Sequence, residues 1–314
     1  MSKEETQESQ VQQDTFQTKF TTPNHSREGE FEKLFEDALL KKNSYIPGTI
    51  MDGTAVAKAW SEKYRDQIKG RTLAILQIGN NLASTKYIQM KQRKADELGV
   101  NLQHIQIAET EDIKTILKNL ETLNKDTSID AILVQLPIEG PLAKHHIQIL
   151  EAITPAKDID FLTSARLGMS LVHKVGLPAT ASGIVHLLEY YQVPIVSSHI
   201  VFVGASLLCN KPLAMYYESQ GATVTICNKY TKDLANITRT ADILITTVGV
   251  KNLITAEHVK KGVIVVDAGF GIDKLTGKVY GDVDFEAVRL LANLITPVPG
   301  GVGPMTIAAL FAGI

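Results

Sequence analysis

The chain has 314 residues, enough for two domains of ordinary size, with 44% hydrophobic residues and a formal net charge of −2. That charge gives no global basic field for nucleic acid, and no apolar run reaches the roughly 18 residues that suggest a membrane span. Two cysteines, Cys209 and Cys227, are too few for a disulfide framework, and no zinc-type Cys/His spacing occurs, so no metal site is expected. The composition suits a reducing cytoplasm. The acidic N-terminus (Glu4, Glu5, Glu8, Asp14) has the pattern of neither a secretory signal nor a mitochondrial presequence.

Residues 1 to about 29 are rich in Gln, Thr, Ser and Glu and read as a disordered tail. Residues 30–42 form an amphipathic helical pattern with Phe31, Leu34, Phe35 and Leu39 on one face. From residue 50, strand-like runs alternate with helical ones. The expected strands are Leu73–Ile78, Leu102–Ile107, Ala131–Leu136, Ile200–Val203, Thr223–Ile226, Ile243–Thr247 and Val263–Val266. Between them the periodicity predicts helices over Asp52–Ile68, Ser84–Leu98, Ile113–Leu123, Ser182–Tyr191 and Pro212–Ser219, with a last helical stretch at Met305–Leu310. Repeated β then α implies parallel sheets covered by helices, in two groups that part near residue 180.

Three places carry candidate chemistry. On the helix that Ser84 is expected to cap, Tyr87 and Lys91 are four apart and share a face. A lysine there either lays its stem over apolar surface with its ammonium in water, the commoner case, or is desolvated into a general acid or base. Gln135 ends an apolar strand and requires a hydrogen-bond partner, and Pro137 follows it. Asp158 and Asp160 lie in the connection Lys157-Asp-Ile-Asp160, where turn and capping roles are usual.

The second place is His199-Ile-Val-Phe-Val-Gly204-Ala205-Ser206, a strand running into a glycine turn and then a helix, the arrangement that holds a phosphate. The spacing is not GxGxxG, and Asn occupies 210, so alone it is a weak dinucleotide signal. At the end of the next strand stands Lys229 and no acid, which favours NADP over NAD; the plainer reading is a solvated lysine. The third place is Thr296–Thr306, where three prolines and three glycines in eleven positions exclude a regular helix or central strand and predict a rigid loop. By itself such a run is most simply a tight turn.

Taken in order, these pieces resemble the methylenetetrahydrofolate dehydrogenase/methenyltetrahydrofolate cyclohydrolase family over about residues 45–314. The resemblance rests on Asp52-Gly53, Ser84-x-x-Tyr87-x-x-x-Lys91, Val134-Gln135-Leu136-Pro137, Lys157-Asp-Ile-Asp160, Gly204-Ala-Ser206, Gly281-Asp282-Val283 and Thr296–Thr306. It implies an α/β protein with a folate-binding catalytic domain over 45–181, to which 295–314 return, and a Rossmann-like NAD(P) domain over 182–294, after a tail of 1–44. It implies Lys91 as the catalytic lysine, Gln135 tuning it, Tyr87 stacking on the folate and Asp160 holding the pterin. Ile88, Gln89, Met90, Val134, Leu136, Pro137, Pro299, Gly300, Gly301, Val302 and Gly303 would complete the substrate site. Gly204, Ala205, Ser206, Lys229 and Phe270 would line the cofactor site, with NADP expected and NAD as the alternative.

The implied activity is oxidation of 5,10-methylenetetrahydrofolate and hydrolysis of the methenyl product to 10-formyltetrahydrofolate. The implied protein is a cytoplasmic homodimer whose partners are tetrahydrofolate derivatives, with no nucleic acid and no membrane. The chain departs from the family pattern at Phe161 (usually Gly), at Pro178-Ala-Thr-Ala181, at Leu208-Cys-Asn210 and at Asn228, and it stops short of the usual terminal helix. A cyclohydrolase alone with a weakened dinucleotide site, and a non-catalytic folate-binding paralogue, are the rival readings; a shikimate-type dehydrogenase ranks below both.

Overall fold

The computed structural model describes residues 45–173, 175–273 and 275–314. The expected tail and the helix over 30–42 lie outside them.

Two parallel sheets carry the described chain. The first has order β3-β2-β4, from β2 (Thr72–Ile78), β3 (Asn101–Ile107) and β4 (Ala131–Gln135). The second has order β1-β11-β8-β7-β5-β6, from β1 (Thr49–Ile50), β5 (His199–Val203), β6 (Thr223–Cys227), β7 (Ile243–Thr246), β8 (Ile264–Asp267) and β11 (Leu294–Ile295). A small antiparallel pair, β9 (Gly271–Ile272) and β10 (Val279–Tyr280), follows β8. The two-residue strands β1 and β11 are too short to show a period in the sequence. β1 pairs with β11 and β11 with β8, so residues 49–50 belong to the second sheet.

Alternate residues of β2 serve different cores. Leu73 and Ile75 face Ile88, Ala95 and Leu98 of α2 (Leu82–Leu98), while Ala74 and Leu76 face Ile116 and Leu120 of α3 (Ile113–Lys125). A strand apolar on both faces needs helices on both sides, which is why β2 reads as a continuous apolar run. The second sheet repeats the plan, with Phe202, Ile245 and Val266 in one core and Val201, Leu244 and Val265 in the other.

Helix starts follow side-chain caps. Asp52 accepts from Ala55 N at 3.0 Å and starts α1 (Gly53–Ile68). α2 begins two residues earlier than expected: Asn81 is its cap and accepts from Ser84 N at 3.1 Å, so Ser84 is inside the helix. Its hydroxyl donates instead to Leu136 O at 3.3 Å. The short helices α4 (His146–Glu151) and α5 (Ser164–His173) precede α6 (Ala179–Tyr190), which begins before the expected Ser182, so position 181 lies within a helix. α7 (Asn210–Glu218), α8 (Leu234–Thr238) and α9 (Phe285–Arg289) complete the second sheet's covering.

The Gly/Pro run is half loop and half helix, because Gly301 stands at the cap of α10 (Val302–Ala312) and Pro304 sits in its first turn, where a proline lacks no bond. α10 covers the last expected helical stretch, begins three residues before it, and packs back on the first sheet. It is apolar all round, and Val302, Met305 and Ala308 join one core while Ile307, Leu310 and Phe311 join another. Tyr64 of α1 donates its hydroxyl to Ala308 O at 2.7 Å.

The loop before α10 is pressed on the start of α1. Thr54 N donates to Gly300 O at 3.1 Å, and a Cβ at Gly53 would overlap the carbonyl of Gly301. Since that obstacle is backbone, Gly53→Ala is expected to cost about 3 kcal/mol. Urea unfolding of the variant should show the lowered midpoint; a midpoint within error of the parent would contradict this packing.

Candidate active site

Both parallel sheets reverse their strand order, and ligands of such sheets bind beyond the strand C-termini at the reversal. In the first sheet the chain passes from β2 to β3 on one side and returns to β4 on the other, with Gln77 opposite Gln135 at the C-terminal ends. Lys91 comes to this point from the third turn of α2. Its Nζ donates to Gln135 Oε1 at 2.8 Å, and Gln135 Nε2 donates to Leu136 O at 2.7 Å, which fixes the amide's orientation. The partner that a glutamine ending an apolar strand requires is the lysine.

Lys91 is 8% exposed. Burial lowers its pKa from 10.5 to about 8, against a smaller opposing effect of Asp160. Asp160 is raised from 3.8 to about 6, first by burial, while the backbone bond from Ala179 and the charge of Lys91 pull it down. The bond from Ala179 N, 2.9 Å to Oδ1, places the carboxylate at the N-terminus of α6, which has no side-chain cap of its own. Asp158 has the ordinary role: its oxygens accept from Leu162 N and Thr163 N at 3.2 and 2.7 Å.

Other members of the expected substrate set divide. Tyr87 is half-buried, with its hydroxyl raised by desolvation. Ile88 and Val134 are core residues. Gln89 and Met90 are exposed and lie off the face that Tyr87 and Lys91 share. Leu136 is half-buried and Pro137 is exposed, joined by a cis peptide bond, as are Val298 and Pro299. Pro299, Gly300 and Gly301 form the loop on α1, and Val302 and Gly303 open α10. Phe161, at φ 55°, carries its ring against Gly176 and under the Arg166 guanidinium, 3.8 Å from the ring centre.

In the second sheet the reversal lies between β5 and β7. Gly204 follows β5 at φ 109°, and a side chain there would stand 2.7 Å from Thr247 Oγ1, which is buried and unpartnered beyond β7. This is a cradle of backbone and one free hydroxyl at the start of α7, suited to a phosphate group. Ala205 and Ser206 continue the turn, and Ser206 Oγ accepts from Leu208 N at 3.0 Å. Asn210 partly fills the space behind it: Nδ2 donates to Val203 O and Gly204 O at 3.1 and 2.9 Å, and Oδ1 is left unpartnered. Lys229 is exposed beyond β6, its ammonium 4.9 Å from the centre of the Tyr230 ring.

Two buried carboxylates, Asp282 of the Gly281-Asp-Val283 motif and Asp267 at the end of β8, have no role assigned by the sequence reading. Asp282 accepts from Thr246 Oγ1, Val248 N, Gly249 N and Val250 N at 2.6–2.7 Å. Asp267 accepts from Gly269 N, Asp282 N and Val283 N at 2.9–3.1 Å and is raised to about 6, chiefly by burial. Asp267 N donates to Thr296 Oγ1 at 2.7 Å. These bonds tie the loops after β7 and β8 to the start of the Gly/Pro run. The available signal was, for Asp267, an acid closing the apolar run Val263–Val266, where only a buried network satisfies it.

An interior lysine near an aspartate at one strand reversal, and a glycine turn suited to a phosphate at another, fit an α/β enzyme of the dehydrogenase type. Residues 51–160 match the model of the tetrahydrofolate dehydrogenase/cyclohydrolase catalytic domain, and residues 178–314 match that of the NAD(P)-binding domain of the same family. The chain belongs to this family. It is 40% identical over 271 residues to a bifunctional protein FolD of Exiguobacterium sibiricum, covering 83% of this chain and 96% of that one. Among solved structures it is similar to the bifunctional FolD of Campylobacter jejuni, with TM-score 0.80 and 36% identity over 84% of this chain and 96% of that one. It is also similar to the enzyme of Trypanosoma brucei, solved with NADP cofactor and inhibitor, with TM-score 0.80 and 28% identity over 85% and 96%.

The site is held at a cost to the fold. A lysine with a folded pKa near 8 and an unfolded one near 10.5 opposes folding fully below pH 8, and the opposition fades between 8 and 10.5. Lys91→Met should therefore be more stable than the parent at pH 7, with the advantage gone by about pH 10.5. Thermal unfolding at several pH values measures this; a variant less stable at pH 7 would contradict the buried charge.

Proposed function

We propose that the chain oxidises 5,10-methylenetetrahydrofolate to the methenyl form with NADP and hydrolyses that product to 10-formyltetrahydrofolate, as the family and the bifunctional names of its relatives support. The observation that carries the reading is Lys91 Nζ, buried, lowered to about 8 and bonded to Gln135 Oε1. We further propose Tyr87 as the platform for the folate's aromatic part, Asp160 as the anchor of the pterin, and Pro299–Gly303 as the lip of the cleft. Gly303 supports the last: no atom lies within 4 Å of where its Cβ would be, so packing does not explain a glycine in a helix's first turn.

Gly204, Ala205, Ser206 and Thr247 would hold the dinucleotide phosphates, Lys229 a 2′-phosphate, and Phe270 the nicotinamide end. Bound NADP supplies the hydride acceptor. The protein's part in that step is alignment of donor and acceptor carbons, with the charge near the forming methenyl cation kept low. A neutral Lys91 meets that requirement, and an ionised Asp160 favours the cation.

In hydrolysis, water adds to the methenyl carbon and its proton passes to Lys91 Nζ. At pH 7 roughly a tenth of a lysine of pKa 8 is neutral. Gln135 Oε1 takes one N–H and leaves the nitrogen lone pair for the water. The protonated amine then returns that proton to the ring nitrogen as the carbon–nitrogen bond opens, while the carbinol hydroxyl releases its own proton to solvent and its oxygen becomes the formyl carbonyl. NADP preference, a cytoplasmic location and a homodimer are part of the same proposal; among the described residues no helix is long and apolar enough to cross a membrane.

The test is a spectrophotometric assay of methenyl absorbance with NADP and NAD in parallel, together with methenyl hydrolysis. Both activities are expected, greater with NADP, and Lys91→Met should lower hydrolysis by about 10²- to 10⁴-fold. Absence of both activities would sink the proposal, and hydrolysis without NADP binding would move it to the cyclohydrolase alone, through Asn210. Gln135→Glu should raise the Lys91 pKa and shift the rising limb of the hydrolysis profile upward from about 8; an unmoved limb would show that Gln135 does not tune the lysine.

A further inference from the structure

Phe270 follows β8, two strands away from β5 and its phosphate cradle in the order β8-β7-β5-β6. Its ring meets a residue of the other sheet's helix. Tyr87 and Phe270 stand with ring centres 5.1 Å apart and planes at 67°.

The backbone beneath Phe270 is fixed on both sides. Gly269 N donates to Asp267 Oδ1, and a Cβ at Gly269 would overlap the Asp282 carboxylate. The Phe270 carbonyl oxygen lies 3.0 Å from where a Cβ of Gly249 would be, and Gly249 N is itself bonded to Asp282. Two buried aspartates thus hold the chain at Phe270, and the ring is presented on that frame rather than on a free loop. Both side chains are half-buried, and their edge-to-face contact puts aromatic surface from the two sheets side by side, the kind of surface on which a flat conjugated ring packs.

The geometry points to Phe270 as a residue of the folate site: with Tyr87 it forms an aromatic corner that receives the aminobenzoyl ring of the substrate and sets folate affinity from the nucleotide side of the cleft. This rests on the folate reading above and adds to the place given there to Phe270 at the nicotinamide end. Because hydrolysis needs no dinucleotide, the corner acts in both reactions.

The test compares the parent with Phe270→Leu, Phe270→Met and Phe270→Tyr, each checked for a parent-like thermal transition. KM for methylenetetrahydrofolate and for the methenyl substrate is measured in the two assays, and the Kd of NADP by calorimetry. Leu and Met are expected to raise both folate KM values about fivefold, including that of the hydrolysis run without NADP, with the Tyr variant restoring the parent KM. In a cycle with Tyr87→Leu, the double variant should lose less than the product of the single losses. A weakened NADP Kd with unchanged folate KM would overturn the inference and confine Phe270 to the nucleotide site. Unchanged values throughout would also overturn it. Failure of the folate reading is a separate result: the parent would then show neither activity before any variant is made.

Discussion

A lysine ammonium removed from water needs a partner, and in this protein the partner is an amide. The bond from Lys91 Nζ to Gln135 Oε1 satisfies one N–H without supplying the negative charge that would hold the proton in place. Burial is then free to lower the pKa to about 8, and Asp160 restores only part of it. A carboxylate at position 135 would give a tighter pair and a poorer base. Much of the first sheet serves this contact: β4 delivers the glutamine at a strand end, α2 the lysine on the face above it, and the N-terminus of α6 anchors the aspartate.

The second constraint is shared structure. α10 belongs to two cores, and the Gly/Pro run before it rests on the start of α1 through Gly53 and Thr54. Asp267 and Asp282 fix the other side of that run through Thr296. The lip of the proposed cleft is therefore held from both of its ends, which suits a surface that must align two reacting carbons. The proposed nucleotide cradle is less well completed. Asn210 spends its amide N–H groups on two strand carbonyls and leaves its oxygen without a donor, so cofactor affinity is the property most exposed to this chain's own departures.

The fold was legible where periodicity is long. Seven strands and the principal helices fall within a few residues of their expected places, because each buries an apolar stripe or two faces. Strands β1 and β11, of two residues each, carry no period and emerge only from the pairing of β1 with β11 and of β11 with β8. Ser84 looked like a cap, but Asn81 competes better, its side chain reaching back to Ser84 N. The α10 start was hidden because glycine and proline in its first turn read as loop, and Phe161 gave no sign that Gly176 and Arg166 would take up its ring. At the site, Lys91 and Gln135 could each be singled out by a cost (a lysine at the edge of an apolar face, a glutamine ending an apolar strand), but only the fold brings those costs together. Asp267 and Asp282, both in the last sixth of the chain, needed the loops after β7 and β8 in place before their role could be seen.

The central claim is that Lys91 titrates near 8 rather than near 10.5 in the folded protein. Its ε-methylene can be followed by carbon-detected NMR through a pH titration, with Lys91→Met assigning the signal. A midpoint near 8 is the predicted result. A midpoint above 10 would mean a solvated or fully paired ammonium, and would contradict the account of the lysine as the base of this site.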